Sequence, residues 1–341
     1  MATPRRPIRQ LAALAPGVAL CLAVTAAAFG AEALETRWGG RAWLEPLVLA
    51  ILLGALVRTL WTPGERWARG VDFCAKTLLE VAVLLLGATI SAGAALGVGV
   101  PLLAGVALVV AASLAAGYGI GRLFGLPHHM ATLVACGNSI CGNSAIAAVA
   151  PVIGARREDV AAAIAFTAVL GVAVVLALPA AAAALGMSPR ASGVLAGLTV
   201  YAVPQVLAAT ASTGPLALQV GTIVKLARVL MLGPVVLVLS LAGRGARDAG
   251  KLRLHRLVPW FILGFLALAA LRSLGWFPAP LVAPAGHAAT WLTVISMAAL
   301  GLGVDIRAVA RAGGRVAAAV TVSFGALAVV ALLLIAALKI A

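Results

Sequence analysis

Carboxylates are scarce in this chain. Ten aspartates and glutamates stand among 341 residues, and charged residues of both signs make up only 10%. A soluble domain carries charge on about a quarter of its residues, so a soluble fold is excluded. Aromatic residues are sparse as well, at 5%, whereas 63% of the chain is hydrophobic. The four histidines, His128, His129, His255 and His287, fall at the edges of apolar segments, which leaves no buried imidazole for a Ser-His dyad. His-Glu-x-x-His does not occur, and Gly301-Leu302-Gly303-Val304-Asp305 misses the Gly-x-Gly-Asp pattern of membrane aspartyl proteases by one residue. No enzymatic activity is expected. The four cysteines, Cys21, Cys74, Cys136 and Cys141, lack the paired spacing of a zinc site, so they are expected to be reduced structural thiols, with no metal and no cofactor.

What is present is apolar sequence in membrane-length runs. Windows of about 20 apolar residues give about eleven candidate transmembrane helices, at 13–31, 43–61, 76–94, 98–123, 128–153, 159–184, 190–210, 216–242, 257–274, 286–305 and 315–338. The fold class expected is therefore an all-α polytopic membrane protein. The N-terminal stretch, with Arg5, Arg6 and Arg9 before an apolar run, resembles a signal peptide. That run is long and lacks a convincing cleavage site, so it reads as a first transmembrane helix.

A formal net charge of +15 would suggest nucleic acid in a soluble protein. Here the basic residues collect in short loops between apolar segments, which is what orientation in a bilayer requires, and nucleic-acid binding is rejected. With a cytoplasmic N-terminus, the inner loops hold 16 of the 25 basic residues and the outer loops six. The expected location is the cell inner membrane, multi-pass, N-terminus cytoplasmic and C-terminus outside. The awkward outer loop, Arg156-Arg157, is partly neutralised by Glu158 and Asp159.

Setting aside residues 1–35, a cytoplasmic tail and first helix, the remaining ten segments divide into five and five, 43–185 and 190–338. Because five is odd, the second half enters the membrane with opposite orientation, as an inverted repeat does. In the fourth segment of the first half, Cys136-Gly137-Asn138-Ser139-Ile140-Cys141-Gly142-Asn143-Ser144 places two Gly-Asn-Ser triplets in apolar sequence. An amide in hydrocarbon costs several kcal/mol unless it finds a partner. On an unbroken helix the triplets would face about 140° apart. If the glycines interrupt the helix, both can point into one site. Tight packing of small residues explains the glycines and alanines but not the two asparagines. The matching segment of the second half, Ser296 to Asp305, carries Gly301 and Gly303, and two broken crossing helices are expected at these positions.

Lys225 and Arg228 lie nine and twelve residues into the segment 216–242, about 14 to 18 Å deep in a ~30 Å core. Each costs roughly 2.5–3.5 kcal/mol on insertion scales. No carboxylate occupies a mid-segment position, so the counter-charge is either Glu80 or Asp305 near a segment end or an anionic substrate. Pro204 frees a helix carbonyl, and Gln205 beside it is either a second polar contact or a partner for a neighbouring helix.

Gly137 to Ile153, Tyr201 to Thr210, Val224-Lys225-Leu226-Ala227-Arg228-Val229-Leu230-Met231-Leu232-Gly233-Pro234 and Met297 to Leu302 resemble the YeiH-type sulfate exporter family of bacterial inner-membrane proteins. The resemblance implies secondary transport and a distant likeness to inverted-repeat carriers such as the bile acid symporters. Where some members carry His-Glu or His-Asp, this chain has Tyr201-Ala202, and where some carry arginine it has Thr89. Neither proton coupling nor substrate identity transfers through those positions.

The leading expectation is a secondary transporter, an exporter of a small inorganic or organic anion such as sulfate. Its binding residues would be Gly137, Asn138, Ser139, Gly142, Asn143, Ser144, Gln205, Lys225, Arg228 and Gly301. The expected partners are the small anion and the lipid bilayer, and a homodimer is compatible with the sequence. Two alternatives are a cation/proton antiporter-like carrier, which would need central carboxylates, and a membrane ligand-binding regulatory protein without transport.

Overall fold

Long apolar sequence folds as helix because in hydrocarbon only a helix or a closed barrel satisfies its own backbone. The computed structural model describes residues 6–39, 46–89, 92–242, 260–304 and 313–340, and no strand occurs among them. Arg5, the basic stretch 244–256, Asp305, Arg307 and Arg311 lie outside the described residues.

The helices are, in order, α1 (Arg6–Gly39), α2 (Pro46–Leu60), α3 (Glu65–Phe73) and α4 (Leu79–Leu86), the last two joined by a π-helical turn, Cys74–Leu78. Then come α5 (Ala92–Leu123), α6 (His128–Ser139), α7 (Asn143–Ile153) and α8 (Arg157–Ala184). They are followed by α9 (Pro189–Thr199), α10 (Val203–Thr210), α11 (Pro215–Leu230) and α12 (Leu232–Ala242). The chain closes with α13 (Trp260–Ser273), α14 (Ala279–Leu302) and α15 (Gly314–Ala337). Local sequence sets several ends. Ser188 accepts a hydrogen bond from Ala191 N–H and Pro189 opens α9, a favourable start, and Gly154 closes α7 with φ of 64°, a left-handed position suited to glycine.

Six of these stretches are long and apolar enough to cross a membrane among the described residues: Ala13–Trp38, Gly99–Leu123, Glu158–Ala184, Pro215–Leu241, Ala279–Leu302 and Gly314–Ala337. The other five expected segments are shorter or interrupted. They are α2, the π-helical turn with α4, the pair α6 and α7, the pair α9 and α10, and α13. The protein is an all-helical, polytopic, membrane-integral chain.

Contacts group the chain into two units, Met1–Thr89 with Gly264–Asp305, and Ile90–Leu263 with Ile306–Ala341. Each unit draws on both sequence halves. In the first, α14 packs on α2 through facing glycines. A Cβ at Gly301 would lie 2.3 Å from Ile51 O, and one at Gly54 2.5 Å from Ala298 O. The close approach explains why these positions are glycine, and it gives Gly301 a packing role. The expected break over 296–305 is corrected here, because α14 runs without interruption through Leu302. Glycine alone does not stop a helix whose faces are packed.

In the second unit, α6 and α7 pack with α8, Val236 of α12 and α15 around Met130, Leu133, Val134, Ile146, Phe166 and Val320. Helix α9 lies against α11, close enough that a Cβ at Gly197 would meet Gly221 O at 2.7 Å. Besides the kink of α5 at Gly99, where φ is 59° and ψ 161°, two segments of this unit are interrupted. One breaks at Ile140–Gly142, between α6 and α7, and the other at Val200–Ala202, between α9 and α10. The second break therefore sits in the segment of Pro204, not in that of Gly301.

Candidate functional site at two helix breaks

A helix end leaves its last carbonyls without intrahelical donors. Helix α6 ends at Ser139 because Gly142 takes φ of 67° and ψ of −125°, a conformation open to glycine and costly for other residues. The carbonyls of Asn138, Ser139 and Ile140 are thereby released. At the second break the cause is proline. Pro204 has no N–H to give to the residue four before it, which is Val200, and the Val200 carbonyl stays free of the helix.

Lys225 and Arg228 on α11 take up these four carbonyls. Lys225 Nζ donates to Ile140 O at 2.7 Å and to Val200 O at 2.8 Å. Arg228 donates from Nε to Ser139 O at 2.7 Å, from Nη1 to Val200 O at 3.2 Å, and from Nη2 to Asn138 O. Both side chains are 0% exposed. Their spacing of three places them on one helix face, so one face of α11 staples both breaks. Each helix C-terminus offers roughly half a negative charge. Two such ends offset about one of the two positive charges, and the centre keeps a net positive potential. Between Glu80 and Glu158, and again between Asp159 and Asp248, the sequence has no carboxylate.

The two asparagines have different surroundings. Asn138 is buried and saturated, with Oδ1 accepting from Tyr201 OH at 2.8 Å and Nδ2 donating to Val320 O at 3.0 Å. Asn143, half-buried at the start of α7, accepts from Thr167 Oγ1 at 2.7 Å. Ser144 beside it is exposed, whereas Ser139 Oγ is fully buried with no hydrogen-bond partner. Gln205 is buried and its Oε1 accepts from Ala202 N–H at 3.1 Å, capping its own helix. Gly137 packs under Ile146, and a Cβ there would lie 2.9 Å from Ile146 Cδ1.

Nine of the ten expected site residues therefore lie in the second unit: the 137–144 cluster, Gln205, Lys225 and Arg228. Gly301 lies in the first unit against α2. Sequence reasoning gave no site role to Tyr201 or Thr167, and it expected a carbonyl freed by Pro204 without identifying it as that of Val200. The proline four residues after Val200 was the available signal for the carbonyl, and a lone tyrosine in an apolar segment was the signal for Tyr201.

The family profile described as conserved hypothetical protein 698 matches residues 16–320. The chain belongs to that family, whose members are the UPF0324 membrane proteins. Among these relatives, the UPF0324 membrane protein BMEI1914 of Brucella melitensis is 56% identical over 99% of this chain and 95% of its own length. The UPF0324 membrane protein blr3189 of Bradyrhizobium diazoefficiens is 53% identical, covering 94% and 92%. The UPF0324 membrane protein TauZ of Paracoccus denitrificans is 40% identical, covering 86% of each chain. No solved structure matches the chain.

Proposed function

We propose that this UPF0324 protein is a secondary carrier of a small anion across the bacterial inner membrane, with sulfate and other sulfur oxyanions as the first candidates. The carrying observation is the imbalance at the breaks: among the described residues, the hydrogen-bond partners of two fully buried cations are backbone carbonyls. Broken helices with exposed termini are the usual architecture of ion and substrate sites in secondary carriers. In this reading Lys225 and Arg228 hold the breaks and set the positive potential. Asn143 and Ser144, at the more open side of the first break, offer neutral donors to the anion.

The antiporter reading requires carbonyls or carboxylates free to hold a cation. Here the ammonium and guanidinium groups already occupy the released carbonyls, so a Na⁺ would have to displace a built-in cation. The sulfate-exporter name enters only through the motif resemblance, and the inverted five-and-five repeat is not required by the proposal. Helix α8 alone separates the two broken segments. If it crosses once, both run the same way through the membrane.

The test is counterflow in proteoliposomes of the full chain, with labelled sulfate, sulfite, an alkylsulfonate and a dicarboxylate screened as substrates. Uptake driven by internal unlabelled anion, and insensitive to replacing Na⁺ by K⁺, is the expected result. Uptake that requires Na⁺ would favour the antiporter-like reading. Binding without flux would make the protein a membrane ligand-binding regulator.

A further inference from the structure

Away from the breaks, a cavity of roughly 520 Å³ opens between α5, α6 and α12. Its walls are apolar, with Leu114, Ala115, Ala135, Cys136, Val235 and Leu239 among them. The few polar side chains on its lining are already engaged. Thr132 Oγ1 donates to His128 O at 2.9 Å, and Tyr118 OH pairs with His128 Nδ1 at 2.9 Å. Val238 on its lip is 63% exposed, which in a membrane-integral chain is exposure to lipid. From His128 to Cys136 is eight residues of helix, about 12 Å. That is close to the ~15 Å thickness of one leaflet's hydrocarbon.

The polar end of this groove is basic. Arg122 lies one helical turn beyond Tyr118, and its Nη1 donates to Leu126 O at 2.7 Å, keeping the guanidinium beside the 124–127 turn. Arg315 reaches the same turn, its guanidinium 3.9 Å from where a Cβ of Gly125 would stand. Both arginines and His128 are exposed, and His129 is half-buried. The sequence from Val81 to Arg157 contains no carboxylate to offset them.

The geometry points to a binding site for an anionic phospholipid, with the headgroup phosphate on Arg122 and Arg315 and one acyl chain in the groove between α5, α6 and α12. Charge and shape both select this occupant. A zwitterionic lipid would fill the apolar part but bring a phosphate whose charge its own ammonium offsets, so it leaves the positive charge of the arginines unbalanced, and a soluble anion would engage the arginines but leave the groove bare. The floor of the groove, Ala135 and Cys136, immediately precedes the first Gly-Asn-Ser triplet on the same half-helix. Occupancy by lipid thus bears on the element that carries the break.

The site is tested with the full chain in phosphatidylcholine vesicles containing a small fraction of phosphatidylglycerol that carries a photoactivatable diazirine midway along one acyl chain. Diazirine-phosphatidylcholine at the same fraction serves as comparison, and adducts are mapped by mass spectrometry. Adducts on residues 114–118 and 132–136 are expected, with phosphatidylglycerol in excess. Arg122→Gln and Arg315→Gln should each reduce the phosphatidylglycerol adduct by about fivefold and leave the phosphatidylcholine adduct unchanged. Ala115→Trp, at an exposed lip position, fills the groove and should remove both adducts without lowering the melting temperature. Equal labelling by the two lipids, or groove adducts that persist in Ala115→Trp, would overturn the assignment. The readout is labelling, so it stands or falls independently of whether the protein transports an anion.

Discussion

The two units solve the same problem, helix packing in hydrocarbon, in opposite ways. The first keeps α14 unbroken and brings it against α2 through facing glycines, Gly54 and Gly301, with the Phe29 and Trp291 rings 4.5 Å apart and tilted by 40° between α1 and α14. The second interrupts two helices and fills the breaks with two buried cations. Charge divides the same way. Among the described residues the second unit holds two carboxylates, Glu158 and Asp159, and the first holds five, Glu32, Glu35, Glu65, Asp72 and Glu80. Backbone strain, released carbonyls and uncompensated charge are thus concentrated in one unit, while the other is built from close van der Waals contact. Substitutions in the second unit should reach anion binding, and substitutions in the first should change stability alone.

The largest effect is expected for Arg228→Gln. Glutamine offers one amide in place of a guanidinium that serves Asn138, Ser139 and Val200, so at least one buried carbonyl is stranded. A stranded acceptor costs about 1–3 kcal/mol, and removing a desolvated charge returns part of that. The carbonyls prevail because the two helix ends already offset part of the arginine's charge. A loss on the order of 3 kcal/mol, read as about 4 °C in melting temperature for a chain of this length, should occur with or without sulfate. An unchanged or raised melting temperature in the absence of anion would mean that substrate, not the helix ends, is the real counter-charge.

Gly301→Ala should come next. Its methyl group would sit against the Ile51 carbonyl oxygen and force α2 and α14 apart, an overpacking cost of about 1–3 kcal/mol. Thermal stability should fall while the anion concentration giving half-maximal stabilisation stays at its wild-type value. A shift in that concentration would break the separation of roles and return Gly301 to the binding site.

The sequence made some of this legible and hid the rest for physical reasons. Membrane-length hydropathy reports burial in lipid, so the all-helical polytopic class could be read directly, as could the first break, whose asparagines have no other explanation. Lys225 and Arg228 were conspicuous because nothing nearby in sequence neutralised them. Their partners were not, because a carbonyl has no side-chain identity, and only Pro204 betrayed which one was free. The second break was sought at Gly301 because glycine is ambiguous. It marks a turn at Gly142, where φ is positive, and close packing at Gly301, where the helix continues. The division into two units was also hidden, because each unit gathers residues from both ends of the chain.

The smallest effect on stability, and the most informative, is expected for Asn143→Leu when set beside Asn138→Leu. Asn138 satisfies the buried Tyr201 OH and adds a second bond to the helical Val320 carbonyl, so leucine there strands the tyrosine hydroxyl and should cost about 1–3 kcal/mol. Asn143 receives one bond from Thr167, whose hydroxyl also lies 3.1 Å from Ala163 O and from Ile164 O. Loss of the amide therefore strands nothing, and leucine is apolar enough to remain at a half-buried position in the membrane. The stability of Asn143→Leu should stay within about 0.5 kcal/mol of wild type, the range of substitutions that touch no buried network. Counterflow should nevertheless be lost, because the amide is one of the neutral donors left open at the first break. Full transport by this variant, with normal stability, would remove Asn143 from the anion site and leave the exposed Ser144 as its remaining side-chain donor there.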